Sequence, residues 1–195
     1  MVVGLTGRYC SGKGTAARVF ALCGFRVVDA DELSHEVLAG KAEQVIREFG
    51  PGVRAAGGDT PIVDRRALGR IVFADSQART RLEAILYPEI TQRIRRFIAD
   101  GGRDVVINAP LLQRAGLQSL CGALVFVTSP ALVRLVRAMR RDKLSLRDAW
   151  MRINAQKDVR PQFNDRGVDT YTVPNRGSLR SLERRVERMA ADLRG

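Results

Sequence analysis

A chain of 195 residues with 45% hydrophobic content suits one domain with a full core, or one core carrying small inserted lobes. No apolar run approaches the roughly 18 residues that span a bilayer, and no basic-then-apolar leader precedes Val2, so a cytoplasmic protein with no membrane partner is expected. The net charge of +12, from 33 Lys and Arg against 21 Asp and Glu, favours anionic partners without choosing among nucleotides, coenzymes and nucleic acid.

The apolar run Val2–Leu5 predicts a first strand. Gly7-Arg8-Tyr9-Cys10-Ser11-Gly12-Lys13 follows at once, with the G-x-x-x-x-G-K spacing of a phosphate-binding loop. Gly7 and Gly12 permit backbone turns that side chains would forbid, so several N–H groups can point at one spot. The helix that starts at Lys13 adds its positive end, and Lys13 a mobile charge for the outer phosphates of ATP. Cys10, Ser11, Gly12, Lys13, Gly14 and Thr15 are therefore candidate nucleotide-binding residues. The hydroxyl that usually follows the lysine and holds Mg²⁺ is replaced by Gly14. Thr15 is left as the candidate metal contact, directly or through water.

Lys13–Leu22 reads as a helix closed at Cys23-Gly24, and Arg26–Asp29 as a second strand. Asp31 occupies a capping position before a helix over Glu32–Leu38. Residues 40 to 100 are mostly helical, with a glycine-rich loop at Pro51–Pro61 and Pro88 in the first turn of a helix Glu89–Ala99. Val105–Ile107, Leu124–Val127 and Thr170–Val173 complete five strands. Pro130–Met139 is a helix, Ser145 caps the next with Asp148 three residues on, and Leu179, Leu182, Val186, Met189 and Leu193 mark the last. This alternation predicts an α/β fold with a parallel sheet and right-handed crossovers.

Ligands of such sheets collect beyond the carboxyl ends of the strands, where Asp29-Ala30-Asp31 stands with the glycine loop. Asp31 is a candidate base for an attacking hydroxyl, and Asp29 a substrate or metal-water contact. His35 is the single histidine, four residues after Asp31, with a structural or a substrate-binding role open to it. Pro110, Leu111 and Leu112 follow the third strand as a candidate acceptor wall. Arg134, Arg137 and Arg141 are spaced to share one helix face, either closing over phosphates or simply solvated, with Leu132, Leu135, Val136 and Met139 turned to the core. Cys10, Cys23 and Cys121 show no metal-ligand or disulfide pattern. Cys10, at a helix start beside Lys13, is expected to have a lowered pKa and to be redox-sensitive.

Taken in order, these pieces resemble the dephospho-coenzyme A kinase family. The resemblance rests on Gly4-Leu5-Thr6-Gly7 with Ser11-Gly12-Lys13, Asp29-Ala30-Asp31 with His35, and Asp64-Arg65 with Leu68-Gly69 and Ile71-Val72-Phe73. It continues through Pro110-Leu111-Leu112, Arg141-Asp142, Arg152-Ile153 with Gln156, Asp169, Asn175 and Gly177-Ser178. It implies a three-layer P-loop kinase fold, with a five-stranded parallel sheet flanked by helices. The core would comprise about 1–38, 102–133 and 157–195, a helical acceptor lobe about 39–101 and a lid about 134–156. It implies ATP-dependent phosphorylation of the ribose 3′-hydroxyl of dephospho-coenzyme A, with Asp31 as base, Lys13 on the phosphates, Arg141 as a lid arginine and Asn175 near the adenine. Departures are Arg8-Tyr9-Cys10 in the loop, Gly14, Tyr87 before Pro88, Gln113-Arg114, and Arg134 where Gln is frequent.

Two other readings stand beside this one: a P-loop kinase for another nucleoside or small molecule, supported by Gly-Lys-Gly-Thr, and a nucleic-acid-binding P-loop protein, supported by the charge. With aromatics at 6% and no base-stacking motif, no nucleic acid is expected, and the protein is taken as a monomer.

Overall fold

Strand β1 (Val2–Gly7) is buried from Val3 onward because it lies in the middle of the sheet, with a neighbour on each edge. The computed structural model describes residues 1–57, 60–102, 104–110, 112, 116–156 and 168–194. Strands β2 (Arg26–Asp29), β3 (Val105–Asn108), β4 (Ala123–Thr128) and β5 (Asp169–Pro174) complete the sheet in the order β2-β3-β1-β4-β5. β1 runs parallel to β3, with Val2 opposite Val105, and to β4, with Val3 opposite Ala123. β4 and β5 are also parallel. All five expected strands are present, each within two residues of its expected ends. The fold is an α/β fold with helices flanking a five-stranded sheet, as expected.

The chain divides into two compact units, Met1–Val28 with Phe97–Gly195, and Asp29–Arg96. In the first, helix α1 (Lys13–Leu22) buries Ala16, Ala17, Val19 and Phe20 against the sheet core. The last helix, Leu179–Asp192, adds Leu182, Val186 and Ala190 to that cluster, while Leu179 remains exposed. Phe20 and Phe25 meet edge to face, ring centroids 5.1 Å apart.

The second unit holds α2 (Ala30–Gly40), α3 (Ala42–Phe49), α4 (Arg65–Ala74) and most of α5 (Ser76–Ala99) around Val45, Val53 and Leu68. Pro88 does not begin a helix. It sits inside α5, which runs 24 residues. Proline forfeits one backbone hydrogen bond there. The buried stripe Leu86, Ile90 and Ile94 continues straight past it and offsets that loss. No described helix is long and apolar enough to cross a membrane.

Helices α6 (Ala131–Asp142) and α7 (Leu146–Asn154) pack on each other, and Leu179–Asp192 is α8. Ser145 caps α7 as expected, its Oγ accepting from the Asp148 N–H at 3.1 Å. The expected orientation of α6 is overturned for most of its residues. Arg134 is 3% exposed, whereas Leu132 is 73% exposed and Val136 and Met139 also face solvent. Leu135 alone of the four apolar residues packs on a core cluster, beside Ala138, and Arg141 is exposed, so spacing did not separate the covered positions from the open ones.

Candidate active site

The loop between β1 and α1 turns through two left-handed residues, Cys10 at φ 58° and Gly12 at φ 102°. Gly12 suffers no penalty there, and a Cβ on it would collide with the Asn175 side-chain amide. Ser11 N–H donates to the Arg8 carbonyl at 3.0 Å and closes the turn. No side chain caps α1, so the amides of its first turn remain directed at the loop. Ser11 Oγ is buried with no hydrogen-bond partner among the described residues. An orphaned hydroxyl beside an uncapped helix start fits an anionic ligand. Among the described residues, Gly14 has nothing within 4 Å of its Cβ position, and Thr15 is half-buried one residue on.

Lys13 Nζ donates to Asn108 Oδ1 at 2.5 Å. Asn108 ends β3 and is 4% exposed, which holds the lysine at the carboxyl edge of the sheet. Asn175, just past β5, braces the loop from below. Its Nδ2 donates to the Ser11 carbonyl at 2.7 Å, and its Oδ1 accepts from Arg137 Nη2 at 3.1 Å. Arg137 Nη1 reaches the carbonyls of Cys10 and Ser11, each at 3.5 Å. Arg137 therefore fixes loop carbonyls, and Asn175 fixes the loop itself.

Arg134 Nε donates to the Ser129 carbonyl at 3.1 Å, but Nη1 is buried without a hydrogen-bond partner among the described residues. Burial, and then the charge of Arg8, lower its pKa. Arg141 is exposed and pairs with Asp142 through both carboxylate oxygens, Nε to Oδ1 at 2.8 Å and Nη2 to Oδ2 at 3.0 Å. The Asp142 carboxyl is held down to about 2, first by Arg141 and then by the Tyr9 hydroxyl. Cys10 departs from expectation. It is 9% exposed, and burial pushes its thiol up more than the nearby Arg141 charge pulls it down.

In the second unit, Asp29 rather than Asp31 caps α2, with its Oδ1 accepting from the N–H groups of Asp31 at 2.9 Å and Glu32 at 3.3 Å. Asp31 lies in the first helical turn and is exposed. His35 pairs with Arg65, whose Nη2 lies 2.5 Å from Nε2. Arg65 opens α4 behind its cap Asp64, whose carboxyl is lowered by the N–H groups of Ala67 and Arg66. Tyr87 and Pro88 line a groove of about 560 Å³ on α5, together with Ala84 and Thr91.

A family model described as dephospho-CoA kinase matches residues 1–179. This chain belongs to the dephospho-CoA kinase family. It is 38% identical to the dephospho-CoA kinase of Bacillus licheniformis, covering 97% of this chain and 94% of that one. Against the dephospho-CoA kinase of Moorella thermoacetica the identity is 37%, covering 95% and 88%. Among solved structures, TT1252 from Thermus thermophilus superposes with a TM-score of 0.82 at 32% identity, covering 100% of this chain and 98% of that one. Dephospho-CoA kinase from Campylobacter jejuni shares the fold, with a TM-score of 0.72 at 23% identity, covering 98% and 96%.

For this family member, the loop residues, Lys13 and Asn175 come together in the first unit, while Asp29, Asp31 and His35 lie close in sequence at the start of the second. The Pro110 carbonyl accepts from Thr6 Oγ1 at 3.1 Å. Leu112 is 2% exposed and reaches the space beside Gly4, so it is core packing rather than an open wall. Leu111, Gln113 and Arg114 lie outside the described residues. Sequence reasoning missed Asn108, whose signal was a polar residue closing the apolar run Val105–Ile107. It also missed the pairing of Arg65 with His35, which no local pattern announces.

Proposed function

We propose that this protein transfers the γ-phosphoryl group of ATP to the ribose 3′-hydroxyl of dephospho-coenzyme A, giving coenzyme A and ADP in the last step of coenzyme A synthesis. The observation that carries this reading is the braced loop. Cys10 and Gly12 turn it, Asn175 and Arg137 hold it, and Lys13 stands beside it, in a chain whose family model covers residues 1–179.

The loop amides and Lys13 bind the ATP phosphates. Thr15 would hold Mg²⁺, directly or through water, and the ion would supply charge neutralisation at the phosphates. Asp31 orients the ribose hydroxyl and takes its proton as the new P–O bond forms and the bond to ADP breaks. Asp29, His35, Pro110 and Leu111 serve the acceptor side, while Leu112 packs in the core. The α6–α7 pair acts as a lid and brings Arg141 to the transferring group. The setting is cytoplasmic, with neither nucleic acid nor membrane as partner.

A coupled ADP-release assay with dephospho-coenzyme A, with and without Mg²⁺, tests this. ADP release should require both the acceptor and Mg²⁺. Lys13→Ala should lose on the order of 10²-fold in turnover, and Asp31→Asn should lose turnover while keeping ATP binding. Acceptor-independent ADP release, or preference for another acceptor in a panel, would sink the reading.

A further inference from the structure

One loop side chain ties the α6–α7 pair to the phosphate-binding loop. The Tyr9 backbone N–H donates to Gln156 Oε1 at 2.6 Å, just past α7. The Tyr9 hydroxyl donates to Asp142 Oδ2 at the end of α6. The same carboxylate holds Arg141 through Nε and Nη2, and the guanidinium carbon lies 5.4 Å from the Tyr9 ring centroid. Beneath them, Cys10, Ala138 and Ala149 form a small core with Tyr9, Leu135 and Leu144 packed against it.

We propose that Tyr9 is a positioning residue that holds Arg141, through Asp142, in one orientation beside the phosphate-binding loop. Asp142 takes up Nε and Nη2, and Nη1 lies outside that pair. A long cationic side chain on a surface normally samples many rotamers. Here the carboxylate fixes one edge of the guanidinium and the ring supports its face, so little freedom remains to be lost when a phosphoryl oxygen arrives. This rests on the phosphoryl-transfer reading, because Arg141 needs a phosphoryl group to meet.

Tyr9→Phe removes the hydroxyl while keeping the ring, its packing and the backbone bond to Gln156. It should lower kcat about tenfold, with KM for ATP within about twofold because the loop amides and Lys13 are untouched. In an Arg141→Met background the same change should have no further effect on kcat. Asp142→Asn should reproduce the Tyr9→Phe phenotype and serves if the first variant folds poorly. Trp150, the only tryptophan, lies half-exposed on α7 and reports independently of turnover. Its fluorescence anisotropy should fall in Tyr9→Phe as the helix pair loosens. Wild-type kcat in Tyr9→Phe, or an equal loss of kcat in the Arg141→Met background, would overturn the proposal alone. A wild-type protein that releases no ADP with dephospho-coenzyme A would instead overturn the functional reading. Unchanged Trp150 anisotropy would then still refute the tie.

Discussion

Asn175 and Ser11 stand 164 positions apart in the chain, yet the Asn175 amide donates to the Ser11 carbonyl at 2.7 Å. Both residues are buried, and Asn175 accepts in turn from Arg137. Asn175→Ala removes the donor and leaves a buried carbonyl and a guanidinium short of a partner. The expected cost is about 2–3 kcal/mol, a Tm lowered by roughly 5–10 °C, together with a raised KM for ATP. A Tm unchanged within a degree would show that the brace carries no energy.

Gly14 sits in the first turn of α1 with open space where its Cβ would be. Gly14→Ser therefore meets no clash, gains about 0.5 kcal/mol in helix propensity, and restores a hydroxyl after the lysine. Thermal melts should rise slightly, and KM for ATP should fall at limiting Mg²⁺. A higher KM at every Mg²⁺ concentration would mean that the glycine is needed for close approach of the ligand.

Arg134 is buried beside another cation, Arg8, with one nitrogen unpartnered among the described residues. Arg134→Met removes that cost and gives up the bond to Ser129, for a net gain of about 1 kcal/mol and a Tm higher by roughly 2–4 °C. Calorimetry on the nucleotide-free protein decides it. A fall in Tm would show that the guanidinium is held by more than Ser129.

Cys10 and Cys121 are both buried, and burial pushes the Cys121 thiol up to about 12. A raised pKa means less thiolate, so alkylation of either at pH 8 should be slow in the folded protein. Mass spectrometry should find one modified cysteine, Cys23, in the native state and three after denaturation. Rapid labelling of Cys10 in the native state would restore the expectation of a reactive loop thiol.

The Asp142 carboxyl titrates near 2 when folded, against about 3.9 in an unfolded chain. A depressed pKa stabilises the folded state above the unfolded value, and the contribution disappears as pH falls through the folded one. The stability gap between wild type and Asp142→Asn should therefore be full above pH ~4 and close toward pH ~2. Denaturant melts across that range give the answer, and a gap that stays constant to pH 2 would contradict the pairing.

The strands and the glycine loop could be read directly from the chain because their signals are local. Val2–Leu5, Gly7 and Gly12 each act through neighbouring backbone. The division of labour between Asp29 and Asp31 was less legible, because either carboxylate can reach free amides at a helix start. Hydrogen-bond geometry assigned the cap to Asp29.

Residue spacing alone determined that a glycine-bounded loop with G-x-x-x-x-G-K spacing joins the first strand to the first helix and that α6 carries arginines and apolar residues at helical intervals. Tertiary structure decided which face is covered. Arg137 turns inward because loop carbonyls and Asn175 await it there, and Leu132 is left in water. It also decided that Asn175 supports Ser11 and that Tyr9 meets Asp142. A period along a helix records which residues share a side. What lies opposite that side depends on chain brought in from more than a hundred residues away.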